Sequence, residues 1–108
     1  MKKIIEGKSY NTTTAKTIYC YDNGLPLSDF NAYQETLHLT QNGAWFLHGQ
    51  GGANTVYCTD TGSLRMAGED IRLISAQEAQ EWLENHQEYF GLISVVTALE
   101  TYFEIQVG

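Results

Sequence analysis

The chain has 108 residues, a formal net charge of −7, one proline and two cysteines, and no run approaching the ~18 consecutive apolar residues of a membrane span. That length fits a single domain, residues 1–108, with one modest core, and its apolar and aromatic content excludes a disordered chain. The charge lies entirely in the last 40 residues, where eight acids face Arg72 alone, while acids and bases cancel through Gly68. This argues against nonspecific nucleic-acid binding, which needs clustered Lys and Arg on phosphates. It favours a basic partner or an acidic hydrated surface. The start has two lysines but no apolar stretch of signal-peptide length, so cytoplasmic residence is expected, with no membrane association.

Lys2 to Tyr10 reads as a short strand interrupted at Gly7. The Asn and Thr side chains of Asn11 to Thr14 compete for nearby backbone groups, so residues 11–16 are expected as one helical turn or an irregular link. Thr17 to Tyr21, β-branched and aromatic, is a second strand closed by Asp22-Asn23-Gly24, and Leu25 to Asn31 is a loop around Pro26. Tyr33 to Gly52 carries the strongest local signal. Asn42-Gly43 between strand-prone residues predicts a hairpin on a two-residue type I′ turn. That turn would set Leu39 opposite Phe46 and His38 opposite Leu47. One face would then hold Leu37, Leu39, Ala44, Phe46 and His48, and the other Thr36, His38, Thr40, Trp45 and Leu47.

Gly49-Gln50-Gly51-Gly52 should end the regular strand in a bend, or mark a close approach to the backbone. Thr55 to Thr59 predicts a further strand and Asp70 to Ile74 the last one, separated by a turn at residues 60–63 and a loop. Ser75-x-x-Glu78 is a capping box, with Ala79, Trp82, Leu83 and His86 following at helical spacing. Glu78, Glu81 and Glu84 share the solvent edge of that helix. Leu92, Val95, Val96, Leu99, Tyr102 and Phe103 form a second stripe of helical period, although β-branched residues leave a strand open there. The stripe needs a cover: either the sheet face holding Trp45 and Leu47, or a second copy of the chain.

Chemistry-bearing residues are sparse. In the register set by a type I′ turn, His38 and His48 project from opposite faces and cannot act on one bond. No spacing of Cys, His, Asp or Glu suits a metal, so no metal or cofactor is expected. The glycine-rich segment lacks the GK[ST] ending of a phosphate loop. Cys20 and Cys58 are expected as free thiols in a reducing compartment, a disulfide requiring that their strands be neighbours. No catalytic residue is assigned.

Four blocks of residues carry a resemblance, three of them in the first half of the chain. They are Ile5-x-Gly7-x-x-Tyr10-Asn11-Thr12-x-Thr14-Ala15, then Glu35-Thr36-Leu37, then Asn42-Gly43-x-Trp45-Phe46-Leu47-His48-Gly49-x-Gly51-Gly52. With Ile71-x-Leu73-Ile74-Ser75-x-x-Glu78-Ala79-x-x-Trp82-Leu83-Glu84, the pattern resembles small accessory proteins of phages, plasmids and conjugative elements of Gram-positive bacteria. It covers roughly residues 1–86, leaving 87–108 as a C-terminal helical extension. That group includes anti-CRISPR inhibitors, so the resemblance implies a counter-defence role, with an RNA-guided Cas effector nuclease, or its complex with guide RNA, as partner.

The expectation is therefore an α+β fold, an antiparallel sheet of four to five short strands with one packed helix and a C-terminal helix. Its function would be non-catalytic inhibition of the effector. Partner contacts are expected at Glu78, Glu81, Glu84 and Glu88, with Trp45, Gly51 and Gly52 as an apolar patch. Two alternatives stand beside it: a dimeric accessory or regulatory protein associating through Leu92, Val95, Val96, Leu99, Tyr102 and Phe103, and a ribonuclease acting on guide RNA.

Overall fold

The computed structural model describes residues 1–106 and 108, with Leu92 described by its backbone alone. The fold is α+β. A hairpin of β1 (Lys2–Ile5) and β2 (Lys8–Asn11) precedes β3 (Lys16–Asp22), β4 (Tyr33–Leu39) and β5 (Trp45–Gly51). A two-residue pair, β6 (Thr59–Asp60) and β7 (Arg65–Met66), leads into β8 (Gly68–Ile74), then α1 (Ala76–Asn85), the short α2 (Gln87–Phe90) and α3 (Leu92–Tyr102). The main sheet is antiparallel in the order β3-β4-β5-β8.

The β4–β5 hairpin forms as expected, but one residue out of the expected register. Leu39 pairs with Trp45, His38 with Phe46, Leu37 with Leu47 and Glu35 with Gly49. The connection is a longer loop closed by Thr40 N–H on the Ala44 carbonyl (2.9 Å) and Gly43 N–H on the Thr40 carbonyl (3.0 Å). Gly43 takes φ +85°, while Asn42 has no positive φ, so the turn is not type I′. The Thr40 hydroxyl accepts the Ala44 N–H (3.0 Å), which fixes the wider loop. The positive-φ pair lies instead at Glu6-Gly7 (φ 51° and 78°), where Ile5 pairs with Lys8 across a two-residue turn.

A one-residue slip exchanges the faces of a strand. Leu37, Trp45 and Leu47 therefore point together at the helices, joined by Ala79, Trp82, Leu83, Val95 and Leu99 in the main core. The opposite face is covered by the β1–β2 hairpin, where Tyr10 packs on Phe46 and Ile71. Phe46, Leu37, Ile71, Leu83 and Val95 are fully buried, each contributing about 1.5–3 kcal/mol by removal from water. The same slip puts His38 and His48 on one face rather than two. Their rings nevertheless serve different neighbours: His38 is 4% exposed and stacks on Phe46, with ring centroids 4.9 Å apart, while His48 Nε2 pairs with Glu69 Oε2 at 2.8 Å.

The capping box at α1 is complete. Ser75 Oγ accepts the Glu78 N–H and Glu78 Oε1 accepts the Ser75 N–H, each at 3.0 Å. The C-terminal stripe is a helix, and the sheet covers it. Val95 and Leu99 are buried in the main core, Trp45 stacks on Phe103 at 5.1 Å and meets Tyr102 edge-on at 5.9 Å, and Val96 faces water. Self-association through Val95, Leu99, Tyr102 and Phe103 is thereby corrected, because these side chains already line the monomer core; the Leu92 side chain lies outside the described residues. The expected strand at Thr55 to Thr59 is a turn as far as Tyr57. The Thr55 hydroxyl bonds the Gly52 carbonyl (2.9 Å) and accepts the Tyr57 N–H (3.3 Å), bending the chain back over the sheet.

Candidate functional site

Glu35 lies on the helix-facing side of β4, in the parity of Leu37 and Leu39, and is 3% exposed. Burying a carboxylate is costly unless hydrogen bonds or a counter-charge replace its water. Two long-range donors supply the hydrogen bonds. Trp82 on α1 donates its indole Nε1–H to Oε1 at 2.9 Å, and the Tyr57 hydroxyl donates to Oε2.

Gly49 admits Tyr57. It stands opposite Glu35 in the β4–β5 register, and a Cβ there would coincide with the Tyr57 ring. The strand runs on through Gly49 and Gly51 instead of bending, and the glycines mark close approach by the chain itself. Gly51 lies under Thr55 and the Ala32 carbonyl, and Gly52 under the backbone of Asp29 and Phe30. Both are buried, as is Trp45 at 6% exposure, so the apolar partner patch expected at Trp45, Gly51 and Gly52 is corrected: these residues pack the interior.

Around Glu35 is a cleft of about 260 Å³ between β4, β5, β8 and α1. Tyr33, Trp82 and Leu47 form its walls, and Glu78, Glu81 and Asn85 stand on the α1 side. Arg72, opposite Leu47 in the register, contributes the one guanidinium. Burial, then hydrogen bonding to Glu35 and its negative charge, raises the hydroxyls of both Tyr33 and Tyr57 far above the ordinary phenol value, so both remain neutral donors. Burial alone would lower Arg72, but hydrogen bonding to Tyr57 and the nearby Glu35 charge leave it raised, a fixed cation beside the Tyr57 hydroxyl.

The ion pairs among the described residues are Lys3–Asp70 at 2.7 Å and His48–Glu69 at 2.8 Å, neither of which involves Glu35. Trp82 and Tyr57 are thus the donors within hydrogen-bond distance of the carboxylate, Tyr33 acts on it from the cleft wall, and among the described residues no cation lies within 4 Å of it. Of the predicted acidic contacts, Glu78 and Glu81 reach the cleft. Glu84 is exposed on α1, accepting from Gln80 at 3.3 Å, and Glu88 is exposed on α2. The two cysteines are free, Cys20 exposed and Cys58 half-buried. Among the described residues no group of His, Cys, Asp and Glu is placed to hold a metal, and no helix is long and apolar enough to cross a membrane.

Sequence reading passed over Glu35, Tyr33, Tyr57 and Arg72 as site residues. The available signal was Glu35 itself, a charge at the period-2 position of Leu37 and Leu39. Compared with protein-family models, curated proteins and solved structures, the chain matches none.

Proposed function

We propose that this protein is a non-catalytic inhibitor that occupies a cationic surface of a nucleic-acid-processing complex. The partner implied by the sequence resemblance is an RNA-guided Cas effector nuclease, which would make the chain an anti-CRISPR protein of a mobile element. One observation carries the reading: Glu78, Glu81, Glu84 and Glu88 all face water, in a segment with no lysine or arginine after Arg72. Effectors of this class hold nucleic acid in positively charged channels. Successive ridge positions on a helix recur about every 5–6 Å, so the acidic side of α1 can engage neighbouring cations.

The arrangement gives little support to guide-RNA cleavage. His38 lies under Phe46 with its pKa lowered to about 4 by burial, helped by the nearby charge of His48. It therefore has neither access nor suitable basicity for acid–base work with His48.

The test is a DNA-cleavage assay with the purified effector–guide complex from a bacterial host. The expected result is inhibition with intact guide, weakening steeply as ionic strength rises. Absence of inhibition at low salt, or fragmented guide, would overturn the proposal. A second reading, an accessory protein that self-associates, draws on the outer side of α3 and the segment after it, where Ile93 is 84% exposed and Val96 and Ile105 also face water. Light scattering tests it: a dimer that dissociates on Ile93→Asp supports it, and a monomeric wild type removes it.

A further inference from the structure

We propose that the Glu35 cleft is a receptor for one guanidinium group, the side chain of an arginine presented by a partner. Three features of the cleft point to that chemistry. Its floor is a buried carboxylate whose neighbours within bonding distance, Trp82 and Tyr57, bring hydrogen bonds but no positive charge. Each carboxylate oxygen can accept more than one donor, so both retain acceptor capacity. The walls are aromatic, with Tyr33 and Trp82 lining the space above Glu35, and a planar guanidinium stacks on such faces where a hydrated ammonium gains less. Glu78 and Glu81 place two further carboxylates on the α1 side, so the cleft holds three acids against one base. At about 260 Å³ the space is below the roughly 300–1,000 Å³ of drug-sized ligand sites and suits a single side chain.

Arg72 gives the inference its sharpest consequence. It lines the same cleft, opposite Leu47 in the β5–β8 register, and is the cation that an incoming arginine must share space and acids with. Arg72 therefore acts as an internal competitor, and its removal improves the site. An anion-binding cleft would respond in the opposite sense.

The arginine's source, a cationic partner protein, rests on the function proposed above. The pocket itself is tested without that partner, so the two can fail separately. The probe is N-acetyl-arginine amide, titrated into the intact protein while the indole N–H resonances of Trp82 and Trp45 are followed. Trp45, buried against Phe103, is the internal reference.

A guanidinium seated in the cleft gives a saturable shift of the Trp82 resonance, with a Kd on the order of 1 mM for so small a ligand, and a static Trp45. The citrulline counterpart, of the same shape without the charge, should leave Trp82 unmoved. Glu81→Gln and Glu78→Gln, the latter retaining a capping-box residue, should each weaken binding about two- to fivefold. Arg72→Gln should tighten it by a similar factor. An unmoved Trp82 resonance at about 10 mM probe, roughly ten times that Kd, an equal response to the citrulline compound, or weaker binding by Arg72→Gln would each overturn the assignment. Probe binding without nuclease inhibition would leave the cleft assigned and remove the proposed function.

Discussion

Gly49 sits across the β4–β5 register from Glu35, and any side chain there meets the Tyr57 ring. In Gly49→Ala the ring must move or the strands must part. Overpacking of this kind costs about 1–3 kcal/mol. A displaced ring also takes its hydroxyl from the buried Glu35 carboxylate, and a hydrogen bond to a charged group contributes about 1.5–3 kcal/mol. The expected loss is roughly 3–5 kcal/mol, a large share of the roughly 5–15 kcal/mol that stabilises an ordinary domain. Urea unfolding followed by tryptophan fluorescence measures it. In a Tyr57→Ser background the ring is gone, and the same Gly49→Ala change should cost less than about 1 kcal/mol, the difference being the coupling between the two residues. A loss under about 1 kcal/mol from Gly49→Ala alone, or equal losses in both backgrounds, would refute the view that Gly49 exists to admit Tyr57.

Leu99, buried against the sheet, should lose about 2–5 kcal/mol on Leu99→Ala, whereas Ile93→Asp on the exposed side of the same helix should stay within about 0.5 kcal/mol. Equal effects in urea unfolding would show that α3 does not pack as described. His38 titrates near 6.5 when unfolded and at about 4 when folded, because burial disfavours its charged form. Unfolding therefore takes up a proton on this side chain between those two values. Stability is untouched by it above pH 6.5 and falls as the pH drops through the window, by up to about 1.4 kcal/mol per unit. His38→Gln should flatten that slope by up to one proton. An unchanged slope would mean that His38 is protonated alike in both states.

Local chemistry made some of this structure legible in the sequence. Ser75 and Glu78 are three residues apart and needed no tertiary contact to cap α1, and the stripe from Val95 to Tyr102 kept its helical period despite its β-branched residues, Phe103 following as the extended C-cap. The hairpin was legible in its existence but not its register. Whether Asn42-Gly43 closes a two-residue turn or Gly43 alone goes left-handed depends on the Thr40 hydroxyl, which ties off the Ala44 N–H. The wider loop shifts the β4–β5 pairing by one residue, so each β4 side chain shares its face with the other set from β5, and the expected placement of His38 and His48 changes with it. The Glu35 site was hidden for a different reason. Its donors come from residues 22 and 47 positions away, and Tyr57 arrives from a segment whose β-branched composition favours a strand until Thr55 turns it.

Whether an acidic helix surface recognises a cationic partner is measured by comparing inhibition of RNA-guided cleavage by the wild type and by Glu78→Gln/Glu81→Gln/Glu84→Gln/Glu88→Gln. Both proteins should unfold at similar urea concentrations, since all four side chains face water and the capping position keeps an acceptor. The wild type should inhibit at low salt, and the neutralised variant should require at least about tenfold more protein. Equal inhibition by the two folded proteins would contradict it.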